Sequence, residues 1–262
     1  MRFARRALAG AAVLLAYGAA PLSPVPQAAW PAYQYRGDHN AVFAAPPGGA
    51  VWKRTFGGKI NGALSIVGST LYVESMGEDR KLYALDLGSG AIRWSAALPN
   101  IAMNAPVVAG GIVFAGTGSN HIMVDAGASA LIGIPGGDYV IAFDAKSGAP
   151  LWRYNTPGED MPTGAAGVVG ETPAFLFAGG DGHLRALSAA DGKLLWQNRF
   201  PGIAPMSSLA LAGNLVVGSS ETTPSFTLAA HEAENQADLE NDTWTWAARI
   251  SDGQFVWVAP HG

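Results

Sequence analysis

The chain has 262 residues, of which 49% are apolar and only 14% charged, with 34 glycines and no cysteine. The net charge of −4 argues against nucleic-acid binding, because proteins that bind nucleic acid usually present a basic face. The absence of cysteine excludes disulfide bonds, thiolate metal sites and lipid attachment at cysteine. An apolar, glycine-rich and weakly charged chain is typical of a tightly turned all-β protein.

The first 28 residues have the pattern of a secretory signal peptide. Arginines at positions 2, 5 and 6 precede an apolar run over residues 7–20, and a stretch rich in proline and alanine follows. The run is shorter than the roughly 20 residues that span a bilayer, and the prolines argue against a buried helix. We therefore predict a signal peptide over residues 1–28 and a periplasmic or secreted mature chain without a membrane span. Both the general and the twin-arginine export routes remain open.

From residue 48 onward the chain repeats one pattern, a tryptophan that lies four residues after a glycine. The tryptophans are Trp52, Trp94, Trp152, Trp196 and Trp257, and the glycines are Gly48, Gly90, Gly148, Gly192 and Gly253. In the last four copies an alanine also lies six residues before the glycine, as in LYALDLGSGAIRW and LRALSAADGKLLW. The tryptophans are 42, 58, 44 and 61 residues apart, and self-similarity at such spacings indicates a repeat architecture.

Each repeat predicts four short antiparallel strands. Two apolar runs separated by Gly-Ser, Gly-Gly or Gly-Asn precede each copy, which favours a hairpin. Asp86, Asp144 and Ser188 suit the start of a tight corner, because their side chains can bond nearby backbone amides, and the following glycine supplies the positive φ of the turn. One tryptophan at a fixed place in each sheet would fill the gap between adjacent sheets.

Four-stranded sheets repeated around an axis are the blades of a β-propeller. We therefore predict an all-β propeller over residues 29–262, with four full four-stranded blades and a partial N-terminal blade strand that ends at Trp52. The predicted repeats cover about residues 53–97, 98–155, 160–200 and 203–260. Trp94, Trp152, Trp196 and Trp257 are expected in equivalent positions between blades. A stacked solenoid is the alternative, and the hairpin-rich pattern fits it poorly.

Two intervals between tryptophans hold insertions, near residues 117–138 and 219–243. The second insertion is rich in acidic residues and contains no Lys or Arg. Such an excursion from a rigid scaffold is either a surface that binds a partner or a cation, or a solvated loop. His231, Glu232 and Glu234 do not share one helical face well, which disfavours a metal site there.

The sequence places no catalytic residue. His121 and Asp125, four residues apart in the first insertion, suit either acid–base chemistry or loop packing, and no second group can be placed beside them. Asp38, His39 and Asn40 lie in the entry segment, where no catalytic role is predicted for them. No Gly-x-Ser-x-Gly elbow or phosphate-binding loop occurs.

The pattern Ala-x-Asp-x-x-x-Gly-x-x-x-Trp resembles the tryptophan-docking motif of the quinoprotein, or pyrroloquinoline-quinone (PQQ), repeat superfamily. The opening WPAYQYRGDHNAVF followed by AVWKRTFGGKINGALSIVGSTLYVES is similar to the first blade of secreted propellers of this superfamily. The resemblance covers about residues 30–260 and implies the propeller fold. The superfamily contains quinone-dependent alcohol dehydrogenases and a non-enzymatic propeller of outer-membrane assembly, so the fold does not decide the function.

One segment, GIPGGDYVIAFDAKSGAPLWRYNTPGE, resembles the dehydrogenase blade that carries a calcium-binding glutamate in a Gly-Ala-Glu-x-Gly-x-x-Gly stretch. If Gly133 and Gly136 are laid on that spacing, Leu131 takes the place of the glutamate. Leucine cannot bind calcium, which takes oxygen ligands. The adjacent cysteine pair of those enzymes is also missing. We therefore expect no cofactor, no metal site and no catalytic residue.

The resemblance also implies how the ring closes. In this superfamily the strand that ends at Trp52 completes the last blade from the C-terminus, and here its three partner strands are missing. The chain is either a shortened relative of a longer propeller, or an irregularly closed ring, or one of two chains that complete each other.

These expectations lead to two functions. The first is a non-catalytic binding or assembly scaffold whose partners are other proteins of the cell envelope. The alternative is a PQQ-dependent dehydrogenase that oxidises alcohols or sugars with an altered calcium site. Its oxygen ligands could come from Glu74, Asn104, Asn120 and Asp138.

Overall fold

The computed structural model describes residues 52–60, 62–76, 79–118, 138–156, 163–202, 207–221 and 243–261. Within these ranges the chain forms four antiparallel sheets of four strands each, and each sheet contains consecutive strands in sequence order. The prediction of an all-β chain with four four-stranded propeller blades is therefore confirmed. No helix in the described part of the chain is long and apolar enough to cross a membrane.

The four blades follow one another along the chain. Blade 1 consists of β1 (Ser65–Val67), β2 (Thr70–Glu74), β3 (Lys81–Asp86) and β4 (Ile92–Ala97). Blade 2 consists of β5 (Val107–Ala109), β6 (Ile112–Thr117), β7 (Tyr139–Asp144) and β8 (Pro150–Asn155). Blade 3 consists of β9 (Ala165–Val169), β10 (Thr172–Ala178), β11 (His183–Ser188) and β12 (Leu194–Arg199). Blade 4 consists of β13 (Ala210–Ala212), β14 (Leu215–Glu221), β15 (Thr243–Arg249) and β16 (Phe255–His261).

The outer two strands of every blade share one register. The repeat alanine lies directly opposite the repeat tryptophan in all four blades, and a β-bulge follows the alanine. The pairs are Ala84–Trp94, Ala142–Trp152, Ala186–Trp196 and Ala247–Trp257. All four alanines are fully buried. A small side chain on the third strand therefore leaves room beside the large indole on the fourth strand.

The corner between the third and fourth strands has the predicted chemistry in blades 1 and 2. Oδ1 of Asp86 accepts hydrogen bonds from the amide and the hydroxyl of Ser89, at 2.9 Å and 2.8 Å. Asp144 accepts the matching pair from Ser147 at 2.7 Å and 2.6 Å. Hydrogen bonds from Arg93 and Ser89 lower the pKa of Asp86 to about 2. The aspartate at each corner is thus an ionised acceptor that holds the turn.

The hydrophobic core lies between neighbouring blades. One buried cluster joins blades 1 and 2, a second joins blades 2 and 3, and a third joins blades 3 and 4. In the second cluster the rings of Phe114 and Phe175 stack with their centroids 4.7 Å apart. In the third cluster the fully buried Trp246 stacks on Phe200 at 5.2 Å. Each blade is therefore stabilised mainly by the blades beside it.

Residues 52–56, at the end of the predicted partial blade strand, dock against blade 1, and residues 48–51 of that strand lie outside the described residues. Residues 52–56 pair with no strand in the described part of the chain. They cover blade 1 through three contacts. The indole N–H of Trp52 donates to the Leu87 carbonyl at 2.8 Å, and a guanidinium N–H of Arg54 donates to the Gly90 carbonyl at 2.9 Å. The ring of Phe56 lies 4.9 Å from that of Tyr83.

Candidate functional site

The strand order places both long insertions at the same end of the blades. Connections between second and third strands, and connections between successive blades, leave the sheets at this end, because neighbouring strands are antiparallel. The insertion between β6 and β7 and the insertion between β14 and β15 both belong to this set. We call this end the insertion face. Its described connections include residues 75–76, 79–80, 98–106, 163–164, 179–182 and 200–202.

Most of the buried polar residues of the described chain lie on or next to the insertion face. They are Ser65, Glu74, Ser75, Asn100, Asn104, Thr117, Asp138, Thr163 and Ser220. Burial of a polar group is unfavourable unless a hydrogen bond replaces the lost water. The hydrogen-bond partners of these side chains therefore indicate their structural or functional roles.

Several of these side chains hold the connections between blades. The hydroxyl of Ser65 donates to the Pro106 carbonyl, and Nδ2 of Asn104 donates to the Gly116 carbonyl at 3.2 Å. The Ala105 amide donates to Oγ1 of Thr163 at 3.0 Å. Because residues 98–106 join blade 1 to blade 2, and Thr163 precedes blade 3, these bonds fix three blades relative to one another. The insertions consequently start from a rigid base.

Glu74, at the end of β2, differs from these groups. Its side chain is 1% exposed, and neither carboxylate oxygen has a hydrogen-bond partner among the described residues. Burial raises the pKa of Glu74 well above its usual value, because the charged form loses its hydration. The sequence had indicated Glu74 only as one of several possible oxygen ligands.

Replacement of Glu74 by Gln is expected to stabilise the protein at neutral pH, because the neutral amide avoids the cost of a charge in this buried site. The folded state holds the proton more tightly than the unfolded state, so stability falls as the pH rises from the unfolded pKa through the folded pKa. Gln has no charge, and the gain should therefore grow from pH 4 to pH 8. Urea unfolding across this pH range measures it. The exposed Glu171, changed to Gln, is the matched control, and an equal effect in both variants would contradict the prediction.

The sequence analysis did not identify a second charged group on the insertion face, Asp181 with Arg185. Arg185 is 3% exposed and forms a two-pronged ion pair with Asp181, with Nη1 of Arg185 2.8 Å from Oδ1. Burial alone would raise the pKa of Asp181, but the Arg185 guanidinium holds it below its usual value. Asp181 lies five residues before the repeat alanine. This spacing is the feature of the sequence that could have identified Asp181 as a charged group of the insertion face.

Asp79 takes the same place in blade 1, five residues before Ala84. It accepts a hydrogen bond from the Tyr83 hydroxyl at 2.5 Å and one from the Ser75 hydroxyl at 3.2 Å. Burial and this bond raise the pKa of Tyr83 to about 12, so the tyrosine stays protonated at neutral pH. Both aspartates are therefore ionised groups that hold the loop between the second and third strands.

The repeat tryptophans connect the blades at their perimeter. The Trp94 ring lies against Gly148 of blade 2, where a Cβ would be 2.5 Å from the ring. Its indole N–H donates to the Ala145 carbonyl at 3.1 Å, three residues before that glycine. The same pairing is repeated, and the full set is Trp52–Gly90, Trp94–Gly148, Trp152–Gly192 and Trp196–Gly253. The indole N–H groups of Trp52, Trp152 and Trp196 donate to Leu87, Ala189 and Ile250 at 2.8 Å, 2.9 Å and 3.0 Å.

Trp257 differs from the other four tryptophans. It pairs with Ala247 in the register of its counterparts, but 43% of its surface is exposed and no blade in the described part of the chain lies against it. Its register is that of the other repeat tryptophans, but no second blade lies beside it among the described residues, so the expected position between blades stays a prediction for Trp257.

Several residues singled out in the sequence lie outside the described residues. These are the signal peptide 1–28, Asp38, His39, Asn40, Gly48, Asn120, His121, Asp125, Leu131, Gly133, Gly136, His231, Glu232 and Glu234. Of the possible calcium ligands, Glu74, Asn104 and Asp138 are described, and all three are buried on the insertion face. Within the described ranges, no group of three or more His, Asp or Glu side chains could hold a metal ion.

The sequence profile of one family, described as outer membrane protein assembly factor BamB, matches residues 38–201 and 119–260 of this chain. A curated relative, the tetrathionate hydrolase of Acidithiobacillus ferrooxidans, is 28% identical over 216 residues, which cover 65% of this chain and 42% of that protein. Another, the outer membrane protein assembly factor BamB of Yersinia pestis, is 27% identical over 147 residues, which cover 53% of this chain and 31% of that protein. The chain thus spans less than half the length of these relatives.

Solved structures support the same fold. The quinohemoprotein alcohol dehydrogenase from Comamonas testosteroni superposes with a TM-score of 0.62 at 14% identity, over 88% of this chain and 41% of that chain. At this level of identity the likeness concerns the fold and not the activity. The predicted resemblance to the PQQ-type repeat superfamily is confirmed by the family match and by this likeness.

Proposed function

Because this chain belongs to the family of outer membrane protein assembly factor BamB, we propose that it is a non-catalytic scaffold that binds other proteins of the cell envelope. One observation carries the proposal. Both long insertions leave a rigid array of blades at the same face, so a single surface presents them together. Loops held on a rigid scaffold are where binding functions concentrate. The periplasm is the compartment that we propose for it.

The chemistry of the insertion face supports binding rather than catalysis. Asp79 and Asp181 are engaged by hydrogen bonds and by a buried guanidinium, and Asn104 and Thr163 hold backbone groups. These side chains stabilise the scaffold. Glu74 favours its neutral form, which is a poor ligand for a cation.

The alternative is a PQQ-dependent dehydrogenase, and the buried oxygen donors Glu74, Asn104 and Asp138 are the observation in its favour. The donor set does not fit a calcium–quinone centre well. Calcium takes six to eight oxygen ligands, usually with ionised carboxylates among them. Burial disfavours the charge on Glu74, and Leu131 stands where the related enzymes have a glutamate. We therefore propose that the chain binds no quinone cofactor.

The proposal can be tested by cross-linking in cells. A photoreactive residue at position 234, in the acidic insertion, is expected to form covalent adducts with envelope proteins. The same residue at position 146, on the opposite end of blade 2, is the matched control and should form few adducts. Equal adducts from both positions would overturn the proposed binding face.

A second measurement separates the scaffold from the enzyme. Titration of the mature protein with PQQ and calcium is expected to show no submicromolar binding, and no dye reduction should follow the addition of alcohols. Submicromolar binding together with quinone-dependent oxidation of an alcohol or a sugar would establish the dehydrogenase instead.

A further inference from the structure

The second residue after a repeat tryptophan reaches across to the next blade at three places on the perimeter. A guanidinium N–H of Arg54 donates to the Gly90 carbonyl of blade 1 at 2.9 Å. Nδ2 of Asn198, on blade 3, donates to the Asp252 carbonyl of blade 4 at 2.9 Å. Tyr154 has this position on blade 2, and its ring lies 6.3 Å from a phenylalanine ring of blade 3. A polar or aromatic side chain therefore closes the gap beside each of these three tryptophans.

Blade 1 has an alanine at this position. Ala96 is the second residue after Trp94, and its side chain ends at Cβ, so it cannot reach across to blade 2. A groove of about 710 Å³ lies there, between β4 of blade 1 and β7 and β8 of blade 2. Ala96 and Leu98 line it from blade 1, and Phe143 and Leu151 line it from blade 2. We call this apolar opening the perimeter groove.

Blade 2 supplies a charged group to the perimeter groove. Arg153 lines the groove and lies two residues after Leu151, so both side chains are on the same face of β8. Trp152, between them, docks on blade 3, and this places the other two on the side of blade 1. The Arg153 guanidinium lies 4.4 Å from the centre of the Tyr139 ring, which packs in the cluster between blades 1 and 2. The ring holds the positive charge at the wall of the groove.

The shape of the groove favours an extended segment as its occupant. Leu151 is 49% exposed and Arg153 is also exposed, so the groove is open along the perimeter. Alternate side chains of an extended strand point to the same side, about 6.6–6.8 Å apart. A strand that lies along β8 therefore places one side chain beside Ala96 and Leu151, and a second one beside Arg153.

The chemistry of the two side chains follows from the groove and from its counterpart. Tyr154 fills the same place between blades 2 and 3, so an aromatic ring fits beside Ala96. An aromatic side chain also buries a large apolar surface. The second side chain faces the Arg153 guanidinium, whose planar N–H groups match a carboxylate.

We propose that the perimeter groove binds an extended segment of another protein that has an aromatic residue and, two residues away, an Asp or Glu. The aromatic ring lies beside Ala96 and supplies most of the affinity, and the carboxylate pairs with Arg153 and fixes the orientation of the segment. The groove is on the perimeter and not on the insertion face. The inference therefore goes beyond the proposed scaffold function, and cross-linking from the insertions tests that function separately.

Selection from a display library of random ten-residue peptides tests the proposal. Peptides are selected on the mature protein, and those that also bind the Ala96→Tyr variant are discarded, because the added ring fills the groove as Tyr154 fills its counterpart. The remaining peptides are expected to share an aromatic residue with an Asp or Glu two positions away. The same selection on Arg153→Glu should yield Lys or Arg in place of the acidic residue. A failure to obtain peptides that distinguish the protein from Ala96→Tyr, or the same acidic preference on Arg153→Glu, would overturn the proposal.

The affinity of one selected peptide, measured by fluorescence anisotropy, supplies the controls. Alanine in place of the peptide's aromatic residue should weaken binding at least tenfold, and Arg153→Met should weaken it about two- to fivefold. Ala190→Tyr, which adds the same ring at an exposed corner of blade 3, should leave the affinity unchanged. The urea midpoint of Ala96→Tyr should be at least that of the unmodified protein, so that lost binding does not reflect unfolding. A dimer in sedimentation velocity that Ala96→Tyr converts to a monomer would assign the groove to a second copy of the chain and overturn the proposal.

Discussion

Replacement of Trp152 by alanine is expected to lower the free energy of unfolding by about 3–5 kcal/mol. The indole fills the gap between blades 2 and 3, where it lies on Gly192 and 5.9 Å from the Phe114 ring. Its N–H also donates to the Ala189 carbonyl at 2.9 Å. The substitution leaves a cavity and an unpaired carbonyl at one interface between blades. Urea unfolding of the mature protein, followed by tryptophan fluorescence and circular dichroism, measures the loss.

Leu151, the preceding residue on β8, is the matched control. Its side chain is 49% exposed and points to the perimeter, so Leu151→Ala is expected to change stability by no more than about 0.5 kcal/mol. Trp257→Ala should resemble this control because its indole is 43% exposed. A loss at Trp152 of less than about 1 kcal/mol would mean that the blades are held together without the docked indoles.

Replacement of Gly148 by alanine is expected to cost more than the same change at Gly170. Both glycines have a positive φ, at 72° and 62°. An alanine in this conformation costs roughly 1–2 kcal/mol. At Gly170 nothing lies within 4 Å of the added Cβ, whereas at Gly148 the Trp94 ring is 2.5 Å away. Overpacking against the ring should add about 1–3 kcal/mol.

The difference between the two glycine variants isolates the docking contact, because the backbone strain is common to both. Thermal or urea unfolding of Gly148→Ala and Gly170→Ala measures it. The double variant Gly148→Ala with Trp94→Ala should show strong coupling, since removal of the ring removes the clash. Equal losses at the two glycines, or additive losses in the double variant, would show that Trp94 does not constrain Gly148.

Membership of this family accounts for the repeated blades of the chain. It does not determine the function of the chain. The assembly factor of Yersinia pestis and the tetrathionate hydrolase of Acidithiobacillus ferrooxidans both match the chain at 27–28% identity, and their names describe different functions. The blades are a common framework, and function resides in the loops and side chains placed on it. In this chain both long insertions leave the blades at the insertion face.

The sequence by itself determined the number of blades, their strands and their corners. These features depend on neighbouring residues, such as the apolar alternation of a strand, the Asp-x-x-Ser-Gly turn and the positive φ of Gly90. Strands and turns of this kind are determined by residues close together in sequence, and the fourfold repetition of the pattern allowed the blades to be predicted. The oxygen donors Glu74, Asn104 and Asp138 could also be singled out from their types.

Only the tertiary structure decided which groups meet. Trp94 docks on Gly148 of the following blade, so this contact depends on segments far apart in sequence. The ion pair of Arg185 with Asp181 and the lack of a partner for both oxygens of Glu74 among the described residues depend on burial. The exposure of Trp257 is the clearest case, because its spacing from the repeat alanine and glycine is the same as that of its docked counterparts. Burial is a property of what lies against a residue, and no local pattern records whether a neighbouring blade is present.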